Sequence, residues 1–121
     1  MNSELIGIEF DWFATDDAGE LALFATAGEG TVPPAAANHF SAHSAVSELL
    51  ETPNWGTDKI WDDYARLGLF VYDWVLPGGP YRRRSVPQNQ PTTELRDRIE
   101  QIEGLPEMKF KFASTQVANL I

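Results

Sequence analysis

The chain contains no cysteine, which excludes disulfides, thiolate metal sites and cysteine nucleophiles. It has no apolar run long enough to cross a bilayer. The opening, MNSELIGIEF, lacks a basic segment followed by an apolar core, so no secretory leader is expected and the cytoplasm is the expected location. Basic side chains are scarce: 9 Lys and Arg stand against 18 Asp and Glu, for a net charge of −9. Nucleic acid and anionic membrane would repel such a chain, and neither is expected as a partner. Chemical motifs are missing too. There is no GxSxG and no G-K-[ST], and Gly28-Glu29-Gly30 lacks the third glycine of a dinucleotide loop and runs into Pro33-Pro34. No catalytic residue, metal site or cofactor is assigned.

What is present suits one globular domain. The 121 residues are 43% hydrophobic and 12% aromatic, enough to bury a core without staples. Ile6 to Thr15 alternates as a strand, and Asp16-Asp17-Ala18-Gly19-Glu20 reads as a hairpin turn in which Gly19 supplies a positive φ. Leu21 to Thr26 is apolar on both faces, the pattern of a covered strand. A Gly/Pro loop leads into a helix over 34–51. A short helix over 59–67 follows, with Asp58 as its N-cap and Gly68 just past its end. Strands are predicted over 69–76 and 81–86, a helix over 93–103, a half-buried strand around Met108 to Phe112 and a last short helix from Ser114. The order predicts an α+β domain: a mainly antiparallel sheet of about five strands with helices packed on one face.

Charge is unevenly spread. Residues 1–80 hold 13 acidic and 2 basic side chains, and residues 81–121 hold 5 and 7. This predicts one acidic and one mildly basic surface. The acidic group Asp58, Asp62 and Asp63 sits beside Trp55, Trp61 and Tyr64. Carboxylates among aromatic rings suit a recognition surface for a basic protein, and equally a solvated helix face flanked by core rings. Tyr81, Arg82 and Arg84 form a second candidate, for an anion. The alternative reading there is an edge strand protected by charge, in which Arg82 and Arg84 share a face. A pocket lined by Trp12, Trp74, Tyr81 and Arg82 would make the protein a binder of, or enzyme for, an anionic ligand or sugar. His39 and His43 have the i,i+4 spacing of a metal pair but no evident third ligand. Asp16, Asp17 and Glu20 are accounted for by turn chemistry without the twelve-residue calcium pattern.

Residues 10–33, FDWFATDDAGELALFATAGEGTVP, with weaker echoes at Tyr72-Asp73-Trp74 and Tyr81-Arg82, resemble the opening of a group of small bacterial proteins. Some proteins of that size and character resemble immunity proteins, which neutralise secreted toxins. The resemblance implies a non-catalytic inhibitor of a basic, toxin-like protein and assigns no residues of its own; the acidic and aromatic pattern of Trp55, Asp58, Trp61, Asp62 and Asp63 is what the sequence offers for such a role. It leaves monomer and homodimer both open.

Overall fold

In the computed structural model, which describes residues 9–120, the acidic turn closes an antiparallel hairpin of β1 (Asp11–Asp16) and β2 (Leu21–Ala25). Gly19 adopts φ +77° there. The Asp16 carboxylate accepts from the amides of Ala18 and Glu20, both at 3.0 Å, so the turn is fastened by its own first residue. The chain then forms α1 (Pro34–Ala37), α2 (Phe40–Glu48) and α3 (Ile60–Arg66) before β3 (Phe70–Trp74), which pairs with β2 in parallel. A parallel pair needs a crossover of this length. β4 (Tyr81–Ser85) returns antiparallel to β3, and α4 (Thr93–Glu100) follows with Thr92 as its N-cap. Two short strands complete the sheet, β5 (Glu107–Met108) and β6 (Val117–Ala118).

The sheet is therefore six-stranded, in the order β5-β1-β2-β3-β4-β6, and mixed: β1–β5 and β2–β3 are parallel. The expectation of about five mainly antiparallel strands holds roughly: three of the five pairings are antiparallel, the crossover makes one pair parallel, and two-residue edge strands too short to leave a periodic signal bring the count to six. The α+β class stands. Among the described residues no helix is long and apolar enough to cross a membrane.

One face of the sheet is mixed, with aliphatic side chains around a few rings under the helices, and the other is dominated by aromatic rings. Phe13, Leu23 and Val71 pack under α2, α3 and α4 through Val46, Tyr64 and Ile99. On the opposite face Trp12, Phe24 and Tyr72 are partners in one row across three strands. Their rings stack at centroid separations of 4.2 and 4.9 Å with interplanar angles near 10°. Such cross-strand rings add to burial. Residues 109–116 join β5 at one edge to β6 at the other, so this segment must cross the aromatic face. Phe112 is buried there in a 3-10 turn. Its amide donates to Asp16 Oδ2 at 2.9 Å, and its carbonyl accepts from Arg83 Nη1 at 2.6 Å. This crossing replaces the strand expected to reach Phe112 and the helix expected from Ser114.

Two further boundaries differ. The predicted helix over 34–51 breaks at Asn38-His39, where His39 leaves the helical region at φ −121° and ψ 35°. The break lets α2 lie along β1. His43 Nδ1 accepts the Phe13 amide at 2.9 Å, and Ser47 Oγ donates to Asp11 Oδ2 at 3.0 Å. The registers match because four helical residues rise ~6 Å and two strand residues ~6.6 Å. α3 begins only at Ile60, so Asp58 lies outside it and makes no cap. Of the long alternating run from Ile6, the part before Glu9 falls outside the described residues.

Candidate functional site

Asp11, Ala25 and Asp73 occupy one row across β1, β2 and β3. All three lie on the helix side of the sheet, by parity with Phe13, Leu23 and Val71. Neighbouring strands are ~4.8 Å apart, so the two aspartates are ~10 Å apart at Cα with only a methyl group between them. This small floor at the carboxyl ends of the parallel pair opens a cleft of about 460 Å³. α2 contributes Ser47 and Glu48 to its wall, and α3 contributes Trp61 and Tyr64. The loop before α3 contributes Trp55, which is 78% exposed, the most open large hydrophobic side chain among the described residues. Every charged side chain lining the cleft is a carboxylate: Glu9, Asp11, Glu48 and Asp73.

The electrostatics follow from that crowding. Burial raises Asp11 from 3.8 to about 6, and the charges of Glu9 and Asp73 push the same way against the Ser47 and Tyr64 hydroxyls. Burial also raises Asp73, offset by Arg84, whose Nε lies 3.5 Å from Asp73 Oδ2 at the rim. The Tyr64 phenol is held protonated by burial and by its neighbours Asp11 and Asp63. The cleft therefore combines aromatic faces with negative charge that has few internal partners. A cation entering it would replace lost hydration and relieve carboxylate repulsion.

The acidic candidates of the sequence divide. Trp55 and Trp61 come together in the cleft wall. Asp58 and Asp62 are exposed on the adjoining loop and helix and do not line it. Asp63 is not a surface residue. It is buried and accepts from the Asn54 amide at 2.8 Å, from Asn54 Nδ2 at 2.7 Å and from Arg66 Nη2. Burial alone would raise its carboxyl, but the Asn54 bonds and the Arg66 charge hold it below the ordinary value. Asp63 thus ties the Trp55 loop to α3 and positions the wall.

The predicted anion site does not assemble. Tyr81 is fully buried on the aromatic face, donating to the Thr31 carbonyl at 2.8 Å and accepting from Trp12 Nε1 at 3.3 Å. Arg82, opposite Asp73 in the register, and Arg84, which a β-bulge leaves unpaired and whose Nε reaches Asp73, stand on the other face. The pocket expected among Trp12, Trp74, Tyr81 and Arg82 is closed in the same way, with Trp12 buried and the Trp74 ring 5.0 Å from that of Tyr81. His39 and His43 also separate: His43 is buried against β1, and His39 Nδ1 lies 3.4 Å from Glu103. No group of three metal-ligating side chains forms among the described residues. Nor does the basic tract stand as one free surface: Arg83 turns onto the aromatic face and donates to the Phe112 and Ala113 carbonyls, and Arg96 pairs with Glu100. Lys111 pairs with Asp17 at 2.7 Å and Arg84 with Asp73.

Sequence reasoning missed Asp11 and Asp73 as a pair. Asp73 interrupts an apolar face of its strand and Asp11 follows Glu9 on the polar face of its own, but only the parallel β2–β3 register brings them into one row. Comparison with protein-family models, curated proteins and solved structures yields no match.

Proposed function

We propose that this is a non-catalytic binding protein that blocks a basic, toxin-like protein by receiving its cationic groups at the acidic, aromatic end of the sheet. Trp55 and Trp61 supply ring surface, the cleft carboxylates supply charge, and Asp58 and Asp62 form an outer acidic rim. The exposure of Trp55 beside a cleft lined only by acidic charges is the observation that carries the reading. Large rings in such a setting are typical anchors of protein interfaces, and the surrounding charge speeds encounter with a cationic partner. A cytoplasmic site of action belongs to the same reading.

The test is affinity capture from the producing cells with the wild-type protein and with a Trp55→Ala/Asp58→Asn/Asp62→Asn variant. The expected result is a basic protein retained at low salt, released as salt rises and missing from the variant. Its capture by both proteins alike would remove this surface from consideration.

A further inference from the structure

We infer that the cleft is a receptor for a single arginine side chain, its guanidinium held above Ala25 between Asp11 and Asp73 and flanked by the rings of Trp55 and Trp61. This rests on the proposed docking function and names the group that the cleft would take. Three observations favour it. The first is spacing: two carboxylates rise from the sheet floor on either side of an alanine and present acceptors to a group held between them. A guanidinium carries five N–H donors in a planar fork and can be shared between two such groups, whereas an ammonium is a compact point charge. The second is the wall. A planar, weakly hydrated cation stacks on ring faces, and two indoles and a phenol border this cleft. The third is size. A volume of about 460 Å³ lies in the lower part of the range for small-ligand sites, room for one long side chain and its flanking backbone. The protein's own Arg84 already approaches Asp73 at the rim, so a guanidinium is compatible with that carboxylate in this setting.

The test uses N-acetyl-arginine methylamide in an NMR titration of the full chain, with the lysine analogue and a neutral oligosaccharide as comparisons. Four tryptophans give four indole N–H signals. The expected result is movement of the Trp55 and Trp61 signals while those of Trp12 and Trp74 stay still, with the lysine analogue weaker. Asp11→Asn removes a charge that burial already disfavours, so the variant keeps its fold and is expected to bind at least ~10-fold more weakly, about 1.4 kcal/mol. Ala25→Val fills the floor with a strand-favouring side chain and is expected to abolish the shifts. No movement of the two indoles, equal binding of the lysine analogue, or a response to the oligosaccharide instead would overturn the inference. Should a basic protein still be captured in a Trp55-dependent, salt-sensitive way, the docking function stands and only the arginine receptor fails.

Discussion

Asp16 and Asp11 stand at opposite ends of β1, and their oxygens meet different surroundings. Asp16 is buried and accepts three backbone amides, from Ala18, Glu20 and Phe112. It joins the hairpin turn to the segment that crosses the aromatic face. Asp11 has the Ser47 and Tyr64 hydroxyls and otherwise faces like charge. Asp63 behaves as Asp16 does, saturated by Asn54 and Arg66, and Asp73 lies nearer to Asp11. The protein thus holds two sorts of carboxylate on one scaffold. Those that fasten chain segments are satisfied internally, and those in the cleft are left with charge to offer. Selection for stability alone would favour the first sort and replace the second.

The largest effect should come from breaking a satisfied carboxylate. Asp16→Ala leaves three amides without their acceptor, two of them in the turn and one beneath the aromatic face. With ~1 kcal/mol or more for each group left unpaired, the loss is about 3 kcal/mol, a fall in melting temperature of roughly 10–20 °C by calorimetry. Asp63→Ala should lower the melting temperature as well and loosen the Trp55 loop, seen as faster amide exchange at Asn54 and Trp55.

His43 sharpens the comparison from the helix side. It is buried and neutral, lowered from 6.5 to about 4 by burial and by His39. Its Nδ1 serves an amide that the short strand β5 does not reach. His43→Phe should cost about 1–3 kcal/mol at neutral pH, because that amide loses its acceptor. The gap should narrow as pH falls from 6.5 to 4. In that window the unfolded wild type takes up the histidine proton and the folded protein does not, so the wild type loses stability that the variant never had. A gap that stays constant across the window in denaturant titrations would refute the buried neutral state.

Asp11→Asn should act with the opposite sign. Because the folded carboxyl is raised above its unfolded value, ionisation above pH 6 penalises the native state, and below about pH 4 the group is neutral in both states. The variant should be more stable than wild type at pH 8, by roughly 1–2 kcal/mol, with the advantage fading as pH approaches 4. Binding of a cation should fall over the same acidic range, since protonation removes the charge that it would meet. The groups facing Asp11 there are Glu9 on its own segment, Ser47 and Glu48 on α2, Tyr64 on α3 and Asp73 on β3 with Arg84 beyond it. Of these, Asp73 is also raised by burial, offset by Arg84, so its protonation adds to the loss of binding as pH falls. A variant that is less stable at pH 8 would show that the carboxylate is paired after all.

Much of this scaffold was legible in the residues. The hairpin with Gly19 in its turn, the covered character of β2, the helix ending at Gly68 and the alternation of Arg82 and Arg84 all follow from local rules of period and backbone freedom. What was not legible depends on partners far along the chain. β5 and β6 are two residues each and exist because Pro106 and Gln116 place them beside β1 and β4. Phe112 alternates like a strand residue but turns into the aromatic face under the pull of Asp16 and Arg83. The same limit governed the site. Trp55 and Trp61 were found because they are large and near acid in sequence. Asp63 was misplaced because its neighbour Asn54, a bland loop residue, absorbs its charge. Asp11 and Asp73 were invisible as a pair because 62 positions separate them.

Trp55 offers the smallest structural effect and the cleanest functional one. Its ring packs in neither buried cluster and remains 78% exposed, so Trp55→Ala should change stability by no more than about 0.5 kcal/mol. A ring of this size serving only as surface would leave every other property unchanged as well. If it is an anchor, its removal should weaken association with a cationic partner by ~2 kcal/mol, roughly thirtyfold in Kd, while the salt dependence set by the carboxylates persists. Parallel measurement of melting temperature and of affinity at two salt concentrations separates these cases. An unchanged Kd at unchanged stability would mean that the exposed indole is incidental, and the cleft would then have to work through its carboxylates alone.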